Sequence, residues 1–455
     1  MQARLRLALG VGLVVAAIVA PSASAELFAV TKHGDHAPNG CTKSDCTLRE
    51  AVRAANAHAG RDRIILPTTG TYRLSRTGTD DTALHGDLDI TSPVRIFHAG
   101  GGHATIDAQG TDRVFEIFPG AKTRLERLRV TGGDHPTSQE GNGGGIHSTA
   151  SLTLDHCILT GNRARGADGS GGALQVLGGK LSVLKSQMTG NIAAGDSGAL
   201  DVGGHGVTIK NSRFSGNRAL FAGVGYFYGD GENVIGASTF SGNRSTGETG
   251  TVYFSESGGS LFVSRSTFSG NVAATDGAGF SARNGDVKMI NTTIAGNRAG
   301  GNGGGIWILT PVTLNAVTIA RNVSDSDESG GEQGGGIYTE AGSPPPHVSN
   351  TLVALNHLGD GLHNDCAGDP VTSFGHNLLS TLGPAGACMG FDEPSDLVDA
   401  HPRLADLAQN GGETKTIALR EGSPAIGHAN PATAPARDQR GVLRKDPDTG
   451  AFERR

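Results

Sequence analysis

Apolar side chains recur along this chain at intervals of 2, 3, 2 and 3 residues, as in Leu152, Leu154, Cys157, Leu159 and Asn162. Val207, Ile209, Ser212, Phe214 and Asn217 repeat the spacing, and so do Val312, Leu314, Val317, Ile319 and Asn322. A degenerate copy at Thr123, Leu125, Leu128, Val130 and Gly133 brings the count to nine. A step of 2 keeps neighbouring side chains on one face of a strand. A step of 3 inserts a corner and resumes the same face. Each copy therefore predicts two short strands facing one core. The closing asparagines, at 162, 191, 217, 243, 271, 297, 322 and 356, lie 29, 26, 26, 28, 26, 25 and 34 residues apart. The Gly-Asn ending suits a tight turn, with Asn in the left-handed region.

A third strand opens on small residues: Gly144-Gly145-Ile146, Gly172-Ala173-Leu174, Gly198-Ala199-Leu200, Gly279-Phe280, Gly304-Gly305-Ile306 and Gly335-Gly336-Ile337. Three short strands in a period near 26 residues predict an all-β, right-handed parallel β-helix. Leucine-rich and ankyrin architectures need amphipathic helical segments, which the pattern lacks, and propeller blades need four longer strands. At ~4.8 Å per coil, eight steps stack to roughly 38 Å.

A solenoid must cover its open ends. Thr47-Leu48-Arg49-Glu50 reads as a capping box, and Leu48, Val52 and Ala55 fall on one helical face. The helix is expected to stop near Gly60, with Ile64-Ile65-Leu66 opening the first strand. The expected divisions are an export signal at 1–25, an N-terminal cap at 26–66, the β-helix at 67–356, and a C-terminal cap of irregular β structure at 357–455. Arg4 and Arg6, the apolar run from Leu7 to Ala20, and Ala23-Ser24-Ala25 carry the export reading. That run is too short for a stable membrane span. Export permits disulfides, and the expected pairs are Cys41–Cys46 and Cys366–Cys388. Cys157 falls in a column otherwise holding Ser186, Ser212, Ser238, Ser266 and Thr292, so it is read as a small buried thiol. The 72 glycines suit a chain that turns often, and the formal charge of −6 disfavours nucleic acid as a partner.

Some segments also resemble known families. Cys46-Thr47-Leu48-Arg49-Glu50-Ala51 is similar to the motif of the CSLREA domain, found at the start of bacterial surface β-helix proteins. Asn410-Gly411-Gly412, Thr414, Thr416, Ala418-Leu419, Gly422-Ser423-Pro424-Ala425-Ile426, Asp438-Gln439-Arg440-Gly441 and Gly450-Ala451-Phe452-Glu453 resemble the choice-of-anchor Q domain. The coils resemble the repeats of polymorphic outer-membrane proteins. These likenesses imply a secreted or cell-surface bacterial protein and no settled reaction. His401-Pro402 and Gly427 depart from that pattern, which has Asp at 401 and 427.

Candidate chemistry is sparse. Gly204-His205-Gly206 is similar to an element of polygalacturonases, but Asp201 is the one acid close by, and the sole Asp-Asp pair, Asp80-Asp81, lies far upstream. Asp325-Ser326-Asp327-Glu328 reads as a solvated loop, since it lacks the glycine spacing of calcium loops. No metal-ligand cluster, cofactor loop or catalytic triad is legible. One column stands out. The residues expected to face outward on the third strand are His147, Gln175, Asp201, Phe227, Tyr253, Ser281, Trp307 and Tyr338. Four of the last five are aromatic in a chain with 5% aromatic residues. Aromatic faces in a line stack on sugar rings, and they also form structural ladders. The leading expectation is a monomeric, non-catalytic surface protein that binds glycan or mediates adhesion through Phe227, Tyr253, Trp307, Tyr338, Asp201 and His147. The alternative is a polysaccharide-active lyase or hydrolase, which requires carboxylates converging on one groove.

Overall fold

The structure is a computed structural model that describes residues 24–135, 142–383 and 387–455. The expected export signal lies outside these residues, apart from its last two. The described chain is a right-handed parallel β-helix. One coil shows the plan: Ile146–Ser148, Leu152–Asp155, Ile158–Thr160 and then a fourth, two-residue strand at Arg163–Ala164. The fourth strand was not expected; its copies form an eight-stranded sheet of their own. In two coils the first and second strands fuse, at Val252–Ser264 and Phe280–Ile290.

The five-position register points inward as expected. Leu152, Leu154, Cys157, Leu159 and Asn162 are all buried. The step of 3 is a corner whose second residue takes a left-handed conformation without being glycine: His156, Lys185, Asn211, Ala237, Arg265 and Asn291 occupy it in successive coils. At the next corner the expectation is corrected. Gly161, Gly190 and Gly216, not the asparagines after them, hold the positive φ. The asparagines are freed to turn inward. The Asn162 Nδ2 donates to Asn191 Oδ1 at 3.0 Å, and the pattern repeats through Asn217, Asn243, Asn271, Asn297, Asn322 and Asn356. Each backbone N–H joins the same acceptor, for example Asn191 N to Asn217 Oδ1 at 3.1 Å. The column ends on Asp365, whose Oδ1 accepts from Asn356. A buried amide that satisfies all its groups from coil to coil fixes the register of the stack. A serine column runs beside it, with Cys157 N donating to Ser186 Oγ at 2.9 Å. Phe214, Phe240 and Phe268 stack with centroids 4.9 and 4.6 Å apart.

The helix Leu48–Ala57 has the expected capping box: Glu50 N donates to Thr47 Oγ1 at 3.2 Å and Thr47 N to Glu50 Oε2 at 2.8 Å. The first strand, however, is Leu27–Ala29, which pairs in parallel with Asp62–Leu66. Coils also continue past 356, through Cys366–Gly368, Thr372–Ser373 and Leu378–Leu379. Cys388 and Phe391 then close the end of the core. The rest of the tail does not cap. It runs back along the flank, where Leu404, Ile417, Leu419 and Phe452 pack on Ala295, Ala320, Leu352 and Leu378. Gln439 pins it there, accepting from Thr293 Oγ1 at 2.7 Å and donating to Ser266 O and Thr267 Oγ1. Both expected disulfides are present. Cys157 is free and buried, and burial pushes its thiol up to about 12, so it is inert at neutral pH. Among the described residues no helix is long and apolar enough to cross a membrane.

Candidate functional site

The outward column of the first strand in each coil is longer than its glycine motif implied. In register it reads Asp89, Glu116, His147, Gln175, Asp201, Tyr226, Tyr253, Ser281, Trp307 and Tyr338. Phe227 is not a member. It faces the core and is fully buried, and Tyr226 takes the outward place. The reason is local. Gly225 stands where the adjacent coils have Leu200 and Val252, and the Phe227 ring occupies the vacated space; a Cβ at 225 would lie 2.9 Å from it.

The aromatic half of the column is largely covered. Tyr253 is 3% exposed and Trp307 is 7% exposed. Phe221, from the loop before Tyr226, packs edge-on against Tyr253 at 4.6 Å, and Tyr226 does so at 5.5 Å. Trp307 donates its Nε1 proton to Glu340 Oε2 at 3.0 Å. These two rings belong to one buried apolar cluster with Ala222, in which Ser281 separates them in register. Tyr226, Tyr338 and Tyr228 keep partial access to solvent. Burial raises the Tyr253 phenol to about 12, so it stays protonated at neutral pH.

Asp201 is buried at the junction of the two halves. Tyr228 Oη donates to its Oδ1 at 2.8 Å and Gln175 Nε2 at 3.4 Å. Burial outweighs these donors and lifts its pKa to about 6. A carboxyl whose folded pKa exceeds its unfolded value favours the fold fully below the unfolded value, and that contribution fades as pH rises through the folded one. Asp201→Asn is therefore expected to be more stable than the parent at pH 8, by up to roughly 3 kcal/mol and with a higher melting temperature, and to match it below pH ~4. Calorimetry at the two pH values checks this; equal stability at pH 8 would contradict it. His147, burdened by burial and by Arg113, is lowered to about 4 and is neutral.

At the amino end, a concentration of acids forms that the sequence did not reveal. Asp80, Asp81, Asp87, Asp112, Arg113, Glu116 and His135 line a cavity of about 190 Å³. The dismissed Asp-Asp pair is thus part of it. Carboxylate oxygens of Asp87, Asp89 and Glu116 all lie within 4.8 Å of one another. Arg113 Nη1 is 3.0 Å from Glu116 and 3.6 Å from Asp87, and His135 Nε2 is 3.7 Å from Asp112. Asp87 Oδ2 and Asp89 Oδ1 are buried without a hydrogen bond. Burial, then the charges of Asp112 and Asp89, pushes Asp87 well above the usual carboxylate range. Burial lifts Asp89 to about 7. Asp80 is the exception: burial opposes it, but Thr82, Leu84 and His85 hold it at about 2. The cap helix positions this groove. Arg49, paired with Asp35 at 2.8 Å, donates to Gly86 O and Asp87 O and so anchors the backbone that carries Asp87.

The other candidates stay apart from the column. His205 is exposed and paired with Asp230, while Gly206 serves a positive-φ turn. Asp325 caps its own loop by accepting from Gly330 N at 2.9 Å, and Asp327 and Glu328 are exposed.

The sequence matches no protein-family model and no curated protein. The likeness to the CSLREA and choice-of-anchor Q domains therefore rests on the quoted motifs alone. Among solved structures, the chain is similar to the pectate lyase Pel9A crystal structure, with a TM-score of 0.43 and 14% identity over 96% of this chain and 98% of that one.

Proposed function

We propose that this is an exported bacterial β-helix protein, related to the CSLREA and choice-of-anchor Q surface proteins, that binds a polysaccharide along the outward column. The observation that carries the reading is the unbroken register from Asp89 to Tyr338. It sets carboxyl, imidazole, amide and phenol groups on one face over nine steps, or roughly 43 Å. Sugar polymers are bound by such a mixture of hydroxyl-directed polar groups and partly exposed rings. Because Tyr253 and Trp307 are covered, Tyr226, Tyr228 and Tyr338 supply the rings, and His147 a polar contact. Trp307 remains the reporter, as the single tryptophan. Polysaccharides titrated against its emission are expected to shift it. Tyr226→Ala and Tyr338→Ala are expected to weaken binding about tenfold each with the melting curve nearly unchanged, whereas Tyr253→Ala costs stability first. A glycan panel that leaves the emission flat and binds no immobilised protein would refute the binding role.

One observation favours a second reading, in which the bound polymer is also cut. Asp87, Asp89, Asp112 and Glu116 converge with Arg113 and His135 at the amino end of the same face, the arrangement that acid–base cleavage of a glycosidic bond requires. Release of new sugar ends by the wild type, and its loss in Glu116→Gln, would select this reading over pure binding.

A further inference from the structure

We infer that Asp87, Asp89 and Glu116 form a binding site for a hard divalent cation, with calcium the ion best suited to it. Three features carry this. First, the three carboxylates come from two adjacent coils and their oxygens lie within 4.8 Å of one another, a separation that one ion can bridge with oxygen contacts of roughly 2.3–2.6 Å. Second, the oxygens are poorly compensated. Asp89 is 0% exposed and Asp87 is 4% exposed, and Asp89 Oδ1 and Asp87 Oδ2 accept no hydrogen bond. Buried acceptors in that state are costly, and a cation removes the cost. Third, the cationic side chains here are shared: Arg113 reaches both Glu116 and Asp87, and His135 faces Asp112.

The donor set selects the ion. All three side chains are oxygen donors, without cysteine or histidine among them, which suits calcium or magnesium better than zinc or copper. The carboxylates are fixed by the fold, Asp89 by Ala83 N at 2.6 Å and Asp87 through Arg49 on its backbone. Irregular, rigidly spaced oxygens suit calcium better than the strict octahedron of magnesium. The adjoining cavity of about 190 Å³ leaves room for water or sugar hydroxyls to complete the shell. Occupancy does not depend on any polysaccharide, so this proposal stands or falls apart from the functional reading above.

The test uses the mature protein, freed of metal with a chelator and then titrated with calcium chloride, magnesium chloride or nothing. One calcium per chain is expected by calorimetry, with a dissociation constant of about 1 mM or tighter, together with a rise in the melting midpoint. Asp89→Asn and Glu116→Gln are each expected to weaken calcium at least about tenfold. Asp327→Asn, in the exposed acidic loop, is expected to leave it unchanged. Circular dichroism matching the parent separates lost binding from lost fold, and Glu116→Gln serves where Asp89→Asn does not fold. Absence of heat and of any midpoint shift with either ion overturns the site. So does calcium binding that survives both groove variants.

Discussion

Phe240→Asp is expected to yield no folded protein. The Phe240 ring is fully buried and lies between Phe214 and Phe268, tilted by only 5° and 4° from its two neighbours. Removing it forfeits the transfer energy of a large side chain and opens a cavity at the centre of the stack, about 3–5 kcal/mol for an alanine. A carboxylate adds the cost of a charge with no partner, several kcal/mol after relaxation. The sum is of the order of a whole domain's stability. Phe240→Leu separates the two contributions, because it keeps an apolar group of similar reach and is expected to fold with a lowered midpoint. Expression of the mature chain followed by circular dichroism and calorimetry is the check. A Phe240→Asp protein that melts like the parent would mean that the inward register is wrong along the whole series 159, 188, 214, 240, 268, 294 and 319.

That register was legible because burial imposes a period, and a period survives in the sequence. The 2, 3, 2, 3 spacing located the core, and the serine column around Cys157 predicted its buried, unreactive state. The outward column was legible only where its glycine opener was regular. At Gly223-Val224-Gly225 the opener is in register with Gly198-Ala199-Leu200 but ends on a second glycine in place of an apolar residue, so Phe227 was assigned outward and Tyr226 was missed. Upstream, Leu88-Asp89-Ile90 and Phe115-Glu116-Ile117 carry the same inward, outward, inward alternation without the glycines. The triplets were a usable signal for the acidic groove; its other members, Asp80, Asp81, Asp87, Asp112, Arg113 and His135, come from loops, and no period reports on loops.

The tail was the other concealed element. Its docking site shows in the sequence only as a change of character on the outer face of the twelve-stranded sheet that contains Ile158–Thr160. Arg129, Ile158, Gln187, Arg213 and Thr239 give way in register to Thr267, Thr293, Thr318, Leu352 and Leu378. Small and apolar residues in an outward column announce that something covers it. The cover is the segment resembling the choice-of-anchor Q domain, and the polar residues of that motif work on the inside. Asp438 accepts from Arg440, Val442 and Glu453 N, and Gln439 bridges to the coils. Such a motif reads as a surface signature in the sequence and turns out to hold a seam closed.

The second large effect is expected at the end of the asparagine ladder, from a substitution that changes almost no volume. Asp365 receives five donors: Asn356 N and Nδ2 on Oδ1, and Ser380 N, Ser380 Oγ and Thr381 N on Oδ2. An ionised carboxylate is acceptor-only and meets all five. Burial pushes its pKa up against the pull of these donors; of the five contacts the Ser380 hydroxyl alone can also accept, so the four N–H donors favour the carboxylate. An asparagine at 365 continues the ladder on its Oδ1 but turns an NH2 group toward Ser380 N and Thr381 N. Two half-buried backbone donors then lose their acceptor and face another donor. At about 1–3 kcal/mol for each unsatisfied group, more where the lost partner was charged, Asp365→Asn is expected to cost roughly 3–5 kcal/mol. The loss should be local, since a solenoid coil depends mainly on its neighbours. Amide exchange is the suitable measurement: faster exchange in residues 352–382, with residues 146–300 protected as in the parent. Asn243→Asp, in mid-ladder, is the companion, expected to fail for the opposite reason, since it removes the donor that Phe214 O and Asn271 Oδ1 receive. Unchanged exchange in Asp365→Asn would show that residue 365 carries a proton in the folded protein and that the ladder ends on a neutral acid.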